Sequence, residues 1–166
     1  SHVVLPGVGS FAEAMQRLRQ RGFDAALEEH VQRRGKPFLG ICLGMQVLAE
    51  FGEEGGTTPG LGWVSGTARR LVGDGVRLPH VGWNSVTRPS DSALFSGVPA
   101  QADFYFAHSY YVACEAASVT GWCDYGQAFC ASLQQRHIFG TQFHPEKSQP
   151  YGLYILRNFL ETAGKS

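Results

Sequence analysis

Gly40 to Gln46 read GICLGMQ, a cysteine between two glycines, after the apolar run Pro37-Phe38-Leu39. A short buried strand followed by Gly-Ile-Cys-Leu-Gly and then a helix is the thiol form of a nucleophile elbow. The turn forces Cys42 into strained backbone angles and points its side chain out of the sheet edge. Gly40 and Gly44, lacking Cβ atoms, let neighbouring backbone close around the bend. A helix N-terminus beneath the sulfur favours the thiolate, and the N–H of Leu43 is left as half of an oxyanion hole. Five residues match by chance often enough that a small buried cysteine in a Gly-rich turn is the plain alternative.

A thiolate needs a base, and six histidines compete: His2, His30, His80, His108, His137 and His144. The pattern puts His30 on a surface helix and His137 at a hairpin tip, both solvated. His80 and His108 fall in strand-like segments, as core or pocket histidines. His144 stands apart in TQFHPEKS, where proline stops the strand and Glu146 follows two residues later. That spacing lets a carboxylate fold back on the imidazole and fix its tautomer, the third role in a triad. The Cys42 sulfur is then expected within hydrogen-bond reach of the His144 ring or slightly beyond it.

The elements that position these residues follow from periodicity. HVVLPGVGS is a β-branched run that ends in a Pro-Gly-Val-Gly loop. Phe11, Met15 and Leu18 mark a helix that Gly22 stops. Asp24 is a candidate N-cap for a second helix, with Leu27 and Val31 on one face and Gly35 and Pro37 ending it. LGMQVLAEF reads as the helix after the elbow, and GEEGGTTPG as a polar loop. From Trp63 to Val86 the chain reads as strand pieces broken by Gly and Pro. DFYFAHSYYVAC is the strongest strand, and QAFCASLQQRHIFGTQFHPE a hairpin turning at 134–137. YGLYILRNFLETAG is a helix with a broad apolar face over Leu153, Ile155, Leu156, Phe159 and Leu160.

Composition bounds the rest. The 166 residues suit one domain, 1–166, and bury roughly 70% of their unfolded surface without a metal or disulfide staple. Lys plus Arg equals Asp plus Glu, 14 each, so nothing points to a nucleic acid. Apolar runs are too short to span a bilayer. The four cysteines form no CxxC pair, and neither they nor the histidines show metal-ligand spacing; a reducing, cytoplasmic compartment is expected. Strand–helix units followed by hairpins argue a three-layer α/β domain, a mostly parallel sheet flanked by helices with an antiparallel section.

Cys42 in GICLGMQ with His144 and Glu146 in FHPE resembles the triad-type class I glutamine amidotransferases. VVLPGVGSFAEAM, HVGWN, FYFAHSYYV and FHPEKS narrow this to the glutaminase subunits of imidazole glycerol phosphate synthases, and the resemblance runs over essentially the whole chain. It implies a Cys42–His144–Glu146 triad that hydrolyses L-glutamine through a γ-glutamyl thioester. Oxyanion donors come from Leu43 and the Val8–Gly9 peptide. Gly9, Gln46, Ser109 and Tyr110 hold the substrate, and Glu54, with Glu53 as rival, meets its ammonium. The ammonia passes to a (β/α)8-barrel cyclase docked at Trp83, Asn84, Tyr105 and Lys147; no cofactor or metal is implied. The isolated glutaminase is expected to be nearly silent, the Gly-flanked Val8–Gly9 peptide having to flip to complete the oxyanion hole.

Family members open with a strand, a helix and a second strand before VVLPGVG, which this chain lacks. Three readings stay open: a piece of a longer product, replacement of the unit by another chain through a homodimer or swapped dimer, or an altered strand order. A silent interaction module and a related cysteine γ-glutamyl hydrolase are the alternative functions; HVGWN and FYFAHSYY argue against the second.

Overall fold

A computed structural model describes residues 1–73, 75–89 and 91–163. Strands β1 (Val3–Gly7) and β2 (Phe38–Cys42) flank helices α1 (Phe11–Gln20) and α2 (Phe23–Leu27), the latter running into a π-helical turn, Glu28–Arg33. After one turn of helix α3 (Leu43–Gln46) come β3 (Ala49–Gly52), β4 (Thr58–Pro59), β5 (Val64–Arg70), β6 (His80–Thr87), β7 (Gln101–His108) and β8 (Tyr110–Cys114). Strands β9 (Val119–Asp124), β10 (Ala128–Gln135) and β11 (Ile138–Thr141) precede helix α4 (Tyr151–Glu161).

Seven strands form one sheet in the order β1-β2-β11-β10-β9-β6-β7, and β4-β3-β5-β8 form a second. Strand β2 is parallel to both β1 and β11. All five of its residues are buried, as the unbroken Phe-Leu-Gly-Ile-Cys run requires of a strand covered on both faces. From β11 onward the seven-stranded sheet is antiparallel, so the antiparallel section is larger than the sequence suggests. Helix α4 covers one face through Ile155 and Phe159, against Phe139, Phe143 and Phe104. Phe11, Met15 and Leu18 of α1 meet Leu43 and Val47 on the other. Trp63, Val64, Val112, Cys130 and Leu133 fill a further cluster that joins the two sheets. Strand β1 lies at the sheet's edge, beside an open apolar cleft lined by Leu5, Leu18 and Phe23.

Four local expectations are corrected. The helix after the elbow lasts one turn, because the carbonyls of Val47, Leu48 and Ala49 accept N–H groups of Leu61, Gly62, Trp63 and Val64 at 2.8–3.1 Å. Met45 to Ala49 are all buried, so β-pairing to β5 satisfies a segment with no solvent face for a helix to present. Asp24 sits inside the first turn of α2, whose N-cap is Gly22 in the left-handed region at φ 68°. The face of α4 is narrower than drawn: Ile155 and Phe159 are buried, whereas Leu153 and Leu160 are exposed. His137 is buried rather than solvated, its Nε2 at 2.8 Å from the Val31 carbonyl.

Candidate active site

Cys42 ends β2 and begins α3 with φ 54° and ψ −112°, a left-handed φ that a non-glycine residue adopts only where its surroundings impose it. The imposition is visible in its neighbours. A Cβ on Gly40 would stand within 2.7 Å of the Gly44–Met45 peptide, and one on Gly44 would fall inside the carbonyl of Leu5. The two glycines let β1, β2 and α3 close on one another, which holds the bend and turns the sulfur outward.

Cys42 is nonetheless only 6% exposed, and its thiol is pushed up to about 11. Burial is the main cause, and the charge of Glu146 adds to it. The Leu43 N–H, the Gln142 amide and Lys147 pull the other way and lose. A one-turn helix offers too little dipole to overcome desolvation, so the expectation of a resting thiolate is corrected to a protonated thiol. The partners of Sγ are the Ala107 carbonyl at 3.9 Å and the Gln142 Nε2, which donates at 3.6 Å.

His144 follows β11, the sheet neighbour of β2, so the imidazole and the sulfur stand at adjacent strand ends. No hydrogen bond joins them in this structure. His144 Nδ1 lies 2.7 Å from Glu146 Oε1. The carboxylate accepts, so Nδ1 carries the proton and Nε2 is left as the basic nitrogen. The His144 backbone is held at both its N–H and its carbonyl, and the Ser148 hydroxyl that holds the carbonyl is held in turn. His144 N–H donates to the Tyr105 carbonyl at 2.9 Å, Ser148 Oγ donates to the His144 carbonyl at 2.6 Å, and Tyr105 N–H donates to Ser148 Oγ at 2.9 Å.

A cleft of about 240 Å³ opens beside the sulfur. Val8 and Gly9 border it from the loop after β1, with Leu43 and Gln46 from α3. Glu54, Ser109 and Tyr110 complete the residues singled out from sequence. Glu54 also accepts the Phe11 N–H at 2.9 Å, at the start of α1. Glu53 instead lies 3.4 Å from Arg69 and does not border the cleft, which favours Glu54 in that rivalry. Gln46 is buried, its Nε2 donating to the Tyr110 carbonyl at 2.9 Å and to Gln142 Oε1 at 3.1 Å. Gln142, Ser148, Pro79 and Ala107 were not visible as site residues. Gln142 had one signal, a polar residue inside an apolar strand end.

The four interface candidates are placed unevenly. Trp83 is exposed and meets Tyr105 edge-to-face at 6.2 Å, and Lys147 Nζ stands 5.8 Å from the Tyr105 ring. Asn84, by contrast, is engaged within the chain, to His80, Asp124 and Ser85.

An elbow cysteine, a carboxylate-oriented histidine at the next strand end and a mixed sheet between helix layers define a class. Residues 1–163 match the glutamine amidotransferase class-I family. A glutamine amidotransferase from Thermotoga maritima superposes with a TM-score of 0.63 at 21% identity, over 96% of this chain and 60% of that one. The imidazole glycerol phosphate synthase subunit HisH of Moorella thermoacetica is 51% identical over 96% of this chain and 75% of its own length. HisH 1 of Campylobacter jejuni (strain RM1221) is 49% identical over 95% and 79%. The chain belongs to the class-I glutamine amidotransferase family and, within it, to the HisH subunits.

Proposed function

We propose that the chain is the glutaminase subunit of an imidazole glycerol phosphate synthase, hydrolysing L-glutamine and passing ammonia to a cyclase. The observation that carries this is one cleft bordered by the elbow cysteine, Leu43, Gln46, Glu54 and the Ser109–Tyr110 wall, with the His144–Glu146 pair at the adjacent strand end. Residue types and positions suit an α-amino acid: a carboxylate for its ammonium, and amide and backbone groups for its polar atoms.

The mechanism follows from these groups. His144 Nε2 takes the proton of the Cys42 thiol as sulfur attacks the substrate's side-chain amide carbon. The Leu43 N–H and the Val8–Gly9 peptide N–H bind the developing oxyanion. The tetrahedral carbon collapses with cleavage of its C–N bond, and His144 gives its proton to the departing nitrogen, which leaves as ammonia. Water, deprotonated by His144, then attacks the thioester carbon. Glutamate departs, and the sulfur recovers its proton from the imidazolium. Glu146 stabilises the imidazolium throughout without taking the proton.

A thiol standing near 11 makes ground-state thiolate scarce, so proton transfer must accompany attack. Gly9, at φ 104°, is in a region glycine alone enters freely, which suits a peptide that turns over to complete the oxyanion hole. This supports slow turnover by the chain alone and activation through the cyclase. A docking face built on Trp83, Tyr105 and Lys147 is consistent with exposed Trp83 and Lys147 both meeting the half-buried Tyr105 ring. The edge strand β1 and its apolar cleft are consistent with a further unit covering them, from the same or another chain.

The test is glutamine hydrolysis by the chain with its cyclase, wild type against Cys42→Ala. The expected outcome is wild-type turnover that rises with the cyclase and falls by on the order of 10⁴ or more in the variant. Equal rates for the two proteins would overturn the reading.

A further inference from the structure

Two buried histidines have no step in the chemistry above, although His108 borders the cleft. His80 opens β6 and His108 closes β7, and they face each other as register partners. They are 3% and 5% exposed. His80 lies between aromatic rings, 4.0 Å from Tyr125 and 4.8 Å from Phe106, and His108 lies 5.1 Å from Phe129. His80 Nδ1 and His108 Nε2 are 3.0 Å apart, His108 Nδ1 is 2.8 Å from the Tyr110 carbonyl, and Asn84 Nδ2 is 3.3 Å from His80 Nε2.

The direction of this chain is fixed from both ends. A carbonyl only accepts, so His108 Nδ1 carries the proton and a neutral His108 accepts at Nε2. At the far end, the Ser85 N–H donates to Asn84 Oδ1 at 2.8 Å, and Asn84 Nδ2 also donates to the Asp124 carbonyl at 3.0 Å. The amide is thereby oriented with its NH₂ toward His80 Nε2, which must accept. The proton of His80 is then on Nδ1, pointing at His108 Nε2. Both ends give one answer: Asn84 donates to His80, His80 to His108, and His108 to Tyr110, with both rings neutral.

The last acceptor matters most. The Tyr110 carbonyl takes a second bond from Gln46 Nε2, which fills both of its lone pairs. Gln46 continues to Gln142, and Gln142 to the Cys42 sulfur. Ser109 is the bend at which the chain leaves the seven-stranded sheet for the smaller one, and the His108–Tyr110 bond spans that bend. We propose that His80 and His108 are positioning residues, whose one-way hydrogen-bond chain sets the Ser109–Tyr110 wall against Gln46 so that bound glutamine lies in register with Cys42. This rests on the reading of the cleft as a glutamine site.

Two substitutions separate hydrogen bonding from packing. His108→Asn keeps a donor near the Nδ1 position but loses ring volume. His108→Phe keeps the ring and loses the donor. In the complex with the cyclase, His108→Phe is expected to raise the KM for glutamine about tenfold, with kcat changed much less, the cost of about one hydrogen bond. His108→Asn should raise KM at most a few-fold, although its thermal midpoint should be the lower of the two. If KM instead follows stability, with the Phe variant nearer wild type, both histidines are packing residues and the proposal is wrong.

A second readout needs no turnover. In ¹⁵N-histidine-labelled chain at neutral pH, both rings should show the Nδ1–H neutral form, the tautomer that free histidine favours less. Either ring found as Nε2–H or as imidazolium, with the wild-type complex active, overturns this inference alone. A wild-type complex that leaves glutamine intact overturns the glutamine reading and this inference's role for the wall with it, even where the tautomers are as stated.

Discussion

Burial governs the thiols of this chain more than sequence position does. Cys42 has the elbow and a helix start beneath it, yet desolvation holds its thiol near 11. Cys123 and Cys130 are buried as well, and burial together with the Asp124 charge pushes Cys123 up to about 12. Cys114 alone is half-buried. A small neutral alkylating reagent at pH 7.5 is therefore expected to modify Cys114 before Cys42. A glutamine-shaped electrophile, which delivers its reactive carbon to Sγ through the Glu54 and Tyr110 side of the cleft, should reverse that order. Peptide mapping of singly labelled chain checks both; Cys42 labelled first by the neutral reagent would show that the resting site already holds a thiolate.

The elbow shows what one strand–turn–helix element demands of its residues. Gly44→Ala would drive a Cβ into the Leu5 carbonyl of β1, so β1, β2 and α3 cannot all keep their places. Chemical denaturation should show a loss of about 3 kcal/mol or more, whereas Gly22→Ala, open around its Cβ but left-handed at φ 68°, should lose only about 1 kcal/mol. Similar losses at the two sites would mean that the elbow relaxes. This element was legible because its determinants are local: a buried β-branched or apolar strand, two glycines at fixed offsets, and a cysteine between them. The His144–Glu146 pairing was legible on the same footing, and the cleft residues from Val8 to Tyr110 through the family resemblance. What stayed hidden was non-local. Val47 to Ala49 look helical until the carbonyls they offer meet the 60–64 segment, and Gln142 and Ser148 act only through partners far away in the sequence. The bond from Asn84 to the distant Asp124 carbonyl, and its reach back to His80, had no local signal in HVGWN.

At the scale of the whole molecule, buried titratable groups of two kinds bound the pH range in which the fold is most stable. His108 is held down to about 4, first by desolvation and further by the charges of His80 and His144, with the Tyr110 carbonyl opposing. Its unfolded form binds a proton below about 6.5. Between those values the unfolded state holds more protons than the folded one, so stability is intact above about 6.5 and is lost as pH falls toward 4. The full span is worth about 3 kcal/mol, and His80, also lowered by burial, steepens the same flank. Cys123 acts on the other side. Its thiol, raised to about 12, keeps its proton in the fold after the unfolded chain has lost it, so stability falls as pH rises above the ordinary thiol range. The expected profile is a plateau from roughly 6.5 to the ordinary thiol pKa of about 8.5, with independent flanks. Urea midpoints across pH 4–11 should show that His108→Phe makes the acid flank shallower and leaves the alkaline one, and that Cys123→Val makes the alkaline flank shallower, with raised Cys42 and Cys130 keeping part of it, and leaves the acid one. The baseline of either variant can drop from lost hydrogen bonding or altered volume, but only the slope carries the titration. An acid flank as steep in His108→Phe as in wild type would mean that carboxylates, not the paired histidines, set the lower limit of stability.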